Sequence, residues 1–315
     1  MKIAVLAGGR SSEHPVSLES AKSVLEGLES AGHECVPVVI EGDGTWRLRD
    51  PRAGAGDGTQ RAIEVVPGRG LLECLDLPYV GAGVLASALC MDKAAFKRLM
   101  AEAGVPQVRY EAVLEPDWRS NRERVLDRAR AIGLPCFVKP ARLGSSFGIS
   151  KVVADDELPS ALDLAFEHDP SALIEAAASG VEVECSVIGN SDPIASEPGE
   201  VIAQADWYDY ESKYTSGGME LIVPARISPS QRERVRRLAV EAFVRSSCSG
   251  LARVDFFITD EGQVLVNELN TIPGFTSTSV FARLFDASGI GYEDLLGRLL
   301  GYAIERHETE RRYRF

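Results

Sequence analysis

Apolar positions change their spacing twice within the first forty residues. Lys2-Ile3-Ala4-Val5-Leu6-Ala7 is a short continuous apolar run and reads as a buried strand, and Gly8-Gly9-Arg10-Ser11-Ser12-Glu13-His14 reads as the loop after it. Leu18, Ala21, Leu25 and Leu28 then recur at helical spacing, with Pro15 near the helix start and Gly32 past its end. A second apolar run, Cys35 to Ile40, predicts a second strand. Strand, helix and strand in this order begin a βαβ layer, so the first domain should be a small doubly wound α/β unit.

From Gly42 to Gly70 the chain is rich in glycine, arginine and aspartate. Only Ala62 to Val66 suggests a short strand there. Leu77 to Val80 predicts another strand, Gly81-Ala82-Gly83 a turn, and Leu85 to Ala103 a helical region closed by Gly104 and Pro106. Two short β runs follow, Pro135 to Pro140 and Ile149 to Val153, joined by Leu143-Gly144-Ser145-Ser146-Phe147-Gly148, a glycine-serine loop with the chemistry of a flexible flap. Further strands are predicted at Ala172 to Ala176, Glu182 to Ile188, Ala252 to Thr259 and Val264 to Asn270, with helices near 230–247 and 292–305. The mixed-charge tail Glu305 to Arg311 reads as a solvated helix end. These shifts divide the chain at about residue 88 and at Ser179-Gly180, giving units 1–88, 89–179 and 180–315.

Composition narrows the function. With 315 residues and 45% hydrophobic content the chain can bury a substantial core. Its 47 acidic against 34 basic residues, net −13, argue against nucleic acid or an anionic membrane as partner, so an anionic substrate must meet a local basic cluster. Six scattered cysteines without a C-x-x-C pair signal neither zinc nor a disulfide framework and read as buried thiols in a reducing compartment, and the four histidines lie at no metal-ligand spacing. The first apolar run is too short for a signal-peptide core or a membrane span, and the reading is of a cytoplasmic protein.

The segment from Arg253 to Asn270 carries the most chemistry. It reads as a hairpin with a two-residue turn at Glu261-Gly262, which sets Asp255 opposite Glu268 and Arg253 opposite Asn270, all on one face. Val254, Phe256, Ile258, Leu265 and Leu269 would form the apolar opposite face. Two carboxylates directly across a strand pair repel, so something cationic should neutralise them. Oxygen ligands without histidine or cysteine select magnesium or manganese over zinc, and Arg253 could hold a phosphate oxygen or a developing oxyanion. An exposed polar face with its charges in water is the plainer reading of the same pattern.

Lys139 ends a predicted strand just before the Gly144 to Gly148 flap, where an ammonium and loop N–H groups could converge on a phosphate. A surface lysine beside a loop would look the same. No G-x-x-x-x-G-K-[ST] occurs, so this is not a P-loop protein. Gly81-Ala82-Gly83-Val84-Leu85-Ala86 matches a relaxed dinucleotide fingerprint but lies late in its domain, where that fingerprint has no role. Asp206 to Gly218, aromatic and charged with a glycine exit, looks like a lid loop.

Hairpin, lysine-flap pair and aromatic lid in this order resemble the ATP-grasp superfamily. Within it, the stretches Gly8 to His14 and Asn270-Thr271-Ile272-Pro273-Gly274-Phe275-Thr276 are similar to those of D-alanine–D-alanine ligases. The resemblance implies a three-domain ATP-grasp architecture with a Rossmann-like preATP-grasp domain at the N-terminus, and ATP held between the central and C-terminal domains. It implies that Lys97, Lys139 and Lys213 bind the nucleotide with Ser145 and Ser146 in the flap, and that Glu175 and Glu182 take the adenine amino group and ribose hydroxyls. It implies further that Asp255, Glu268 and Asn270 ligate two Mg2+ (or Mn2+) ions. Arg253 and the Gly274 N–H would form the oxyanion site. Glu13, supported by Ser145 and Tyr214, would anchor the ammonium of the first D-alanine, and Ser279 with the backbone near Val280 the carboxylate of the second. A homodimer is the implied assembly and an acyl phosphate the implied intermediate.

The sequence departs from the family in three places. A His-Gly-x-x-Gly-Glu-Asp-Gly loop usual in the first domain is absent, since Val65-Val66-Pro67-Gly68-Arg69-Gly70-Leu71-Leu72 runs straight to Glu73. Pro15 stands where an acidic residue is common and Phe147 where valine is. The acceptor therefore stays open between D-alanine, D-serine, D-lactate or another amine, beside a nucleotide binder that does not catalyse.

Overall fold

The computed structural model describes residues 1–9, 13–52, 62–63, 69–144, 148–203 and 219–313. The first βαβ layer forms as the apolar spacing predicts. Strand β1 (Lys2–Gly8) pairs in parallel with β2 (Glu34–Ile40), and helix α1 (His14–Ser30) crosses between them. Two short antiparallel strands, β3 (Trp46–Leu48) and β4 (Ala62–Ile63), complete the sheet in the order β1-β2-β3-β4. The sequence reading had only the latter of the two. Helix α1 buries Ala21, Leu25 and Leu28 against Val5 and Ala7, and Leu296 from the far end of the chain closes this core.

Leu77 to Val80 is not a strand, which corrects the sequence reading. Helix α2 (Arg69–Cys74) precedes it, and Leu77 and Val80 stay 47% and 39% exposed. Backbone carbonyls here find side-chain rather than strand partners. Arg306 Nη1 donates to the Gly81 carbonyl (2.6 Å) and Nη2 to that of Tyr79 (3.4 Å), with the guanidinium 4.2 Å from the Tyr79 ring centre. His307 Nε2 lies 2.9 Å from Asp76 Oδ1. The tail is therefore not simply a solvated helix end. Its first turn grips the segment that lacks a sheet.

Residues 85–103 form two helices, α3 (Val84–Met91) and α4 (Lys93–Glu102), broken at Asp92, whose side chain caps α4 by accepting from the Ala95 N–H. The next strands and helices are β5 (Tyr110–Leu114), α5 (Glu115–Ser120), α6 (Arg122–Ile132), β6 (Cys136–Pro140), β7 (Ser150–Val152), α7 (Leu158–His168) and β8 (Ser171–Ala176). Their antiparallel sheet has the order β5-β8-β6-β7, and Val125, Ala129, Leu158 and Leu162 of α6 and α7 bury one face of it.

The largest sheet combines β9 (Val181–Gly189), β10 (Ile194–Ala195), β11 (Gly199–Ala203), β12 (Met219–Ile222), β13 (Gly250–Ile258) and β14 (Val264–Asn270) in the order β12-β11-β9-β13-β14, with β10 on β9. Helix α8 (Pro229–Arg245) joins α3 and α4 over Val183, Cys185, Val254, Phe256 and Val266 to form the main core. Helices α9 (Val280–Asp286) and α10 (Tyr292–Glu310) cover Ile188 and Leu251. Among the described residues no helix is long and apolar enough to cross a membrane. All six cysteines are free, four of them buried, Cys35 half-buried and Cys74 exposed.

Helix α1 meets α10 at Gly27, where a Cβ would lie 2.5 Å from Leu296 Cδ1. A larger side chain must displace the Leu296 side chain or push α10 away. Gly27→Leu should lower stability by about 1–3 kcal/mol, read as a reduced denaturant midpoint at unchanged m. An unmoved midpoint would mean that Leu296 yields without loss.

Candidate active site

The predicted pairing of charges across the hairpin is present, by a different route. Near the turn Ile258 pairs with Val264 and Phe256 with Val266, whereas Asp255 pairs with Glu268 and Arg253 with Asn270. The Thr259 N–H donates to the Gln263 carbonyl (2.9 Å) and the Gly262 N–H to that of Thr259 (2.8 Å), so the loop holds three residues with Gly262 at φ +83°. The two-residue turn is thus corrected to three. A bulge at Asn267 inserts one residue, which shifts the register back. It also reverses the facing of the strand before it. Val264 and Val266 are buried beside Leu269, and Leu265, expected on the apolar side, pairs with Phe257 on the polar one.

Strand β9 extends this face. Its residue Glu184 stands opposite Asp255, so Glu184, Asp255 and Glu268 lie abreast on three neighbouring strands. Arg253 neutralises the row. Its Nε and Nη2 donate to Asp255 Oδ1 (2.7 Å) and Oδ2 (2.8 Å), and Nε lies 3.0 Å from Glu184 Oε2. Burial works against the guanidinium charge, but Asp255, Glu184 and then Glu268 outweigh it and hold Arg253 protonated well above the ordinary arginine value. Asn270 Nδ2 donates to Asp255 Oδ2 at 3.3 Å. Lys93, at the start of α4, lies 3.5 Å from Glu268 Oε2 and donates to the Leu143 carbonyl at 2.8 Å.

One helical turn beyond Lys93, Lys97 sits on the same side of α4 and reaches the central sheet. Its ammonium is 2.6 Å from Glu175 Oε1, and Lys139 contacts the other oxygen of the same carboxylate. All three side chains are at least nine-tenths buried, and Lys97 also lies 5.6 Å from the Tyr110 ring centre. Burial alone would push the Glu175 carboxyl up; Lys139 and Lys97 outweigh it and hold it below the usual carboxylate value. The residues assigned by resemblance to adenine and to phosphates thus form one compact charged group.

The remaining predicted positions surround these two clusters. Glu13, just before α1, approaches the base of the flap loop, since a Cβ on Gly144 would lie 3.1 Å from its Oε1. Glu182 is exposed on the same sheet face, in the row of Phe257. Gly274 stands open, with nothing within 4 Å of a Cβ placed there. The loop beyond is pinned by the Phe275 N–H donating to Ser20 Oγ (3.2 Å) and by Tyr292 Oη donating to the Phe275 carbonyl (3.1 Å). Ser279 caps α9 by accepting from the Ala282 N–H, and Val280 opens that helix. Ser145, Ser146, Lys213 and Tyr214, with the lid loop, lie outside the described residues.

Two site residues were missed by the sequence reading. Alternation along Val181-Glu182-Val183-Glu184 already put Glu184 on the face of Glu182, and Lys93 stands one turn before Lys97. Among the described residues no group of three or more histidine, cysteine, aspartate or glutamate side chains is arranged to hold a metal ion. Two facing carboxylates with an adjacent amide nevertheless suit magnesium, which takes few protein oxygens and completes its shell with water and phosphate.

Comparison with known proteins gives a consistent result. The D-ala D-ala ligase N-terminus profile matches residues 2–66 and the D-ala D-ala ligase C-terminus profile residues 99–301. The chain is 40% identical to the D-alanine–D-alanine ligase of Geobacillus kaustophilus, with 98% of this chain and 96% of that one aligned. The structure of the D-alanine–D-alanine ligase from Coxiella burnetii superimposes with a TM-score of 0.87 at 33% identity, covering 99% and 96% of the two chains. VanG, a D-Ala:D-Ser ligase from Enterococcus faecalis, superimposes with a TM-score of 0.83 at 31% identity, covering 96% and 99%. The Geobacillus alignment spans 352 residues against 315 here, so at least 37 of its positions face a gap in this chain.

The buried lysine pair yields a test of the charged group. Lys97→Met leaves the Glu175 carboxylate one ammonium short and should cost about 3–5 kcal/mol in urea unfolding at neutral pH. Glu175's contribution should be full above the ordinary carboxylate range and fall away as pH drops through its depressed value. A variant as stable as the parent would show that Lys139 alone suffices.

Proposed function

The chain belongs to the D-alanine–D-alanine ligase family, and from that premise we propose that it joins two D-alanine molecules while converting ATP to ADP and phosphate. The carrying observation is the sheet face on which Arg253, Asp255, Glu268 and Asn270 converge beside the α4 lysines. In this reading the product feeds peptidoglycan synthesis and the enzyme works in the cytoplasm.

The chemistry follows from charge. Lys97 and Lys139 exchange Glu175 for nucleotide phosphates, and Lys213, Ser145 and Ser146 bind the nucleotide with them. Phe257 and Leu265 offer the base an apolar bed, and Glu175 and Glu182 take the amino group and ribose. The carboxylate of the first D-alanine, its ammonium held by Glu13, Ser145 and Tyr214, attacks the γ-phosphorus. An acyl phosphate forms and ADP leaves. The second D-alanine, its carboxylate at Ser279 and the backbone near Val280, attacks the acyl carbon through its neutral amine. Arg253 and the Gly274 N–H stabilise the oxyanion until phosphate departs, carrying the proton that the amine gives up as the amide forms. Asp255, Glu268 and Asn270 would hold two magnesium ions, which neutralise charge on the transferring phosphoryl group when bound.

A different acceptor is the second reading. It is favoured by the missing histidine-glycine loop and by the likeness to VanG. A homodimer is the proposed assembly, and the exposed side chains of Leu75, Leu77, Val84, Leu85 and Met91 supply an apolar surface for it.

Two measurements test these proposals. With ATP and magnesium, D-alanine should drive phosphate release and a dipeptide of the corresponding mass, and Glu268→Gln should lower turnover by several orders of magnitude while the protein still folds. Release driven by D-serine or D-lactate instead would favour the second reading, and none with any acceptor would leave a binder. Sedimentation at micromolar concentration should report twice the chain mass; a monomer there would remove the dimer.

A further inference from the structure

Arg253 is shared between two carboxylates that do not have the same work to do. Asp255 lies between Glu184 and Glu268, so a cation held by Asp255, Glu268 and Asn270 sits on the β14 side of the row, while Glu184 borders it on the β9 side. Both oxygens of Asp255 are already engaged here, Oδ1 by Arg253 Nε and Oδ2 by Arg253 Nη2 and Asn270 Nδ2. The single hydrogen on Nε points at Asp255, although Glu184 Oε2 is only 3.0 Å from the same nitrogen. A divalent cation on Asp255 competes for its lone pairs and repels the guanidinium, which then needs another anchor.

We propose that Glu184 is the positioning residue that retains the Arg253 guanidinium at the reaction centre when Asp255 turns to a divalent cation. The inference rests on the ligase reading above, which supplies the cation. The motion required is small: the guanidinium rotates about its terminal side-chain bonds so that the Nε–H faces Glu184 instead of Asp255, while Nε stays between the two carboxylates. The Nη groups are thereby released from Asp255 toward the forming oxyanion. Without Glu184, the guanidinium keeps its two bonds to Asp255, and metal and arginine compete for that carboxylate.

The test reads metal binding directly. Mn2+ affinity, measured by electron paramagnetic resonance of the free ion at fixed ADP, should weaken roughly tenfold in Glu184→Gln. The same substitution in an Arg253→Met background should change it less than twofold, since no guanidinium then competes. In the otherwise native chain, kcat should fall while KM for ATP stays within about twofold, and Glu184→Asp should recover part of the loss because it keeps the charge. Should the glutamine variant not fold, the aspartate variant reads the same quantities. Equal weakening in both backgrounds would overturn the proposal, because Glu184 would then act on the cation by charge alone. Unchanged affinity in the native background would overturn it too. Parent protein that neither binds Mn2+ nor ligates D-alanine would sink the ligase reading itself and this inference with it.

Discussion

Like charges on adjacent strands destabilise a sheet, and here three carboxylates stand abreast on β9, β13 and β14 with strand-to-strand spacing of about 5 Å. Arg253 makes that row tolerable. It enters from the neighbouring register position on β13 and engages Asp255 with two parallel N–H bonds while touching Glu184. Lys93 approaches Glu268 from the side at which α4 begins. Concentrated negative charge is thus maintained in a half-buried place by cations drawn from two different elements. Such an arrangement is costly unless an incoming cation and anion exchange with those already present, as a magnesium nucleotide would.

Helix α4 transmits the same logic to the rest of the molecule. Lys93 and Lys97 project from successive turns, one toward the C-terminal sheet and one toward the central sheet, so a single rigid element spaces the metal face from the phosphate group. Its apolar side, Phe96 and Met100, is sunk in the main core with α3 and α8, which leaves the helix little freedom. The N-terminal layer joins through Leu296 in its core and through Glu13 beside Gly144. Three separately recognisable pieces of sequence therefore meet at one place without sharing a continuous motif.

The reading of the chain failed where local pattern and tertiary context disagree. Leu77 to Val80 has a strand's composition, yet Arg306 takes the carbonyls a sheet neighbour would have used. The tail looked solvated because its charges carry no period, and only the fold brings Arg306 and His307 to Tyr79 and Asp76. The hairpin turn was one residue too short, and the bulge at Asn267 cancelled that error at Asp255 and Glu268 but not at Leu265. Helix α5 offers a single buried side chain, Trp118, and so carries no apolar period, whereas α6 and α7 do carry one in Val125, Leu126, Ala129 and Ile132 and in Leu158, Ala161, Leu162 and Ala165.

Periodicity by itself determined the βαβ opening and six strands of the two later sheets, β6, β7, β8, β9, β13 and β14, but not β5 or β10 to β12. These follow from spacing along one chain segment, where side-chain direction alternates by rule. Only the tertiary structure decided which charges answer one another across segments: Lys97 and Lys139 on Glu175, Lys93 on Glu268, and Glu184 on Arg253. Each of those pairs joins residues far apart in sequence or on strands whose neighbours local pattern cannot name. An ion pair depends on distance in space and on burial, and neither quantity exists until the layers have packed.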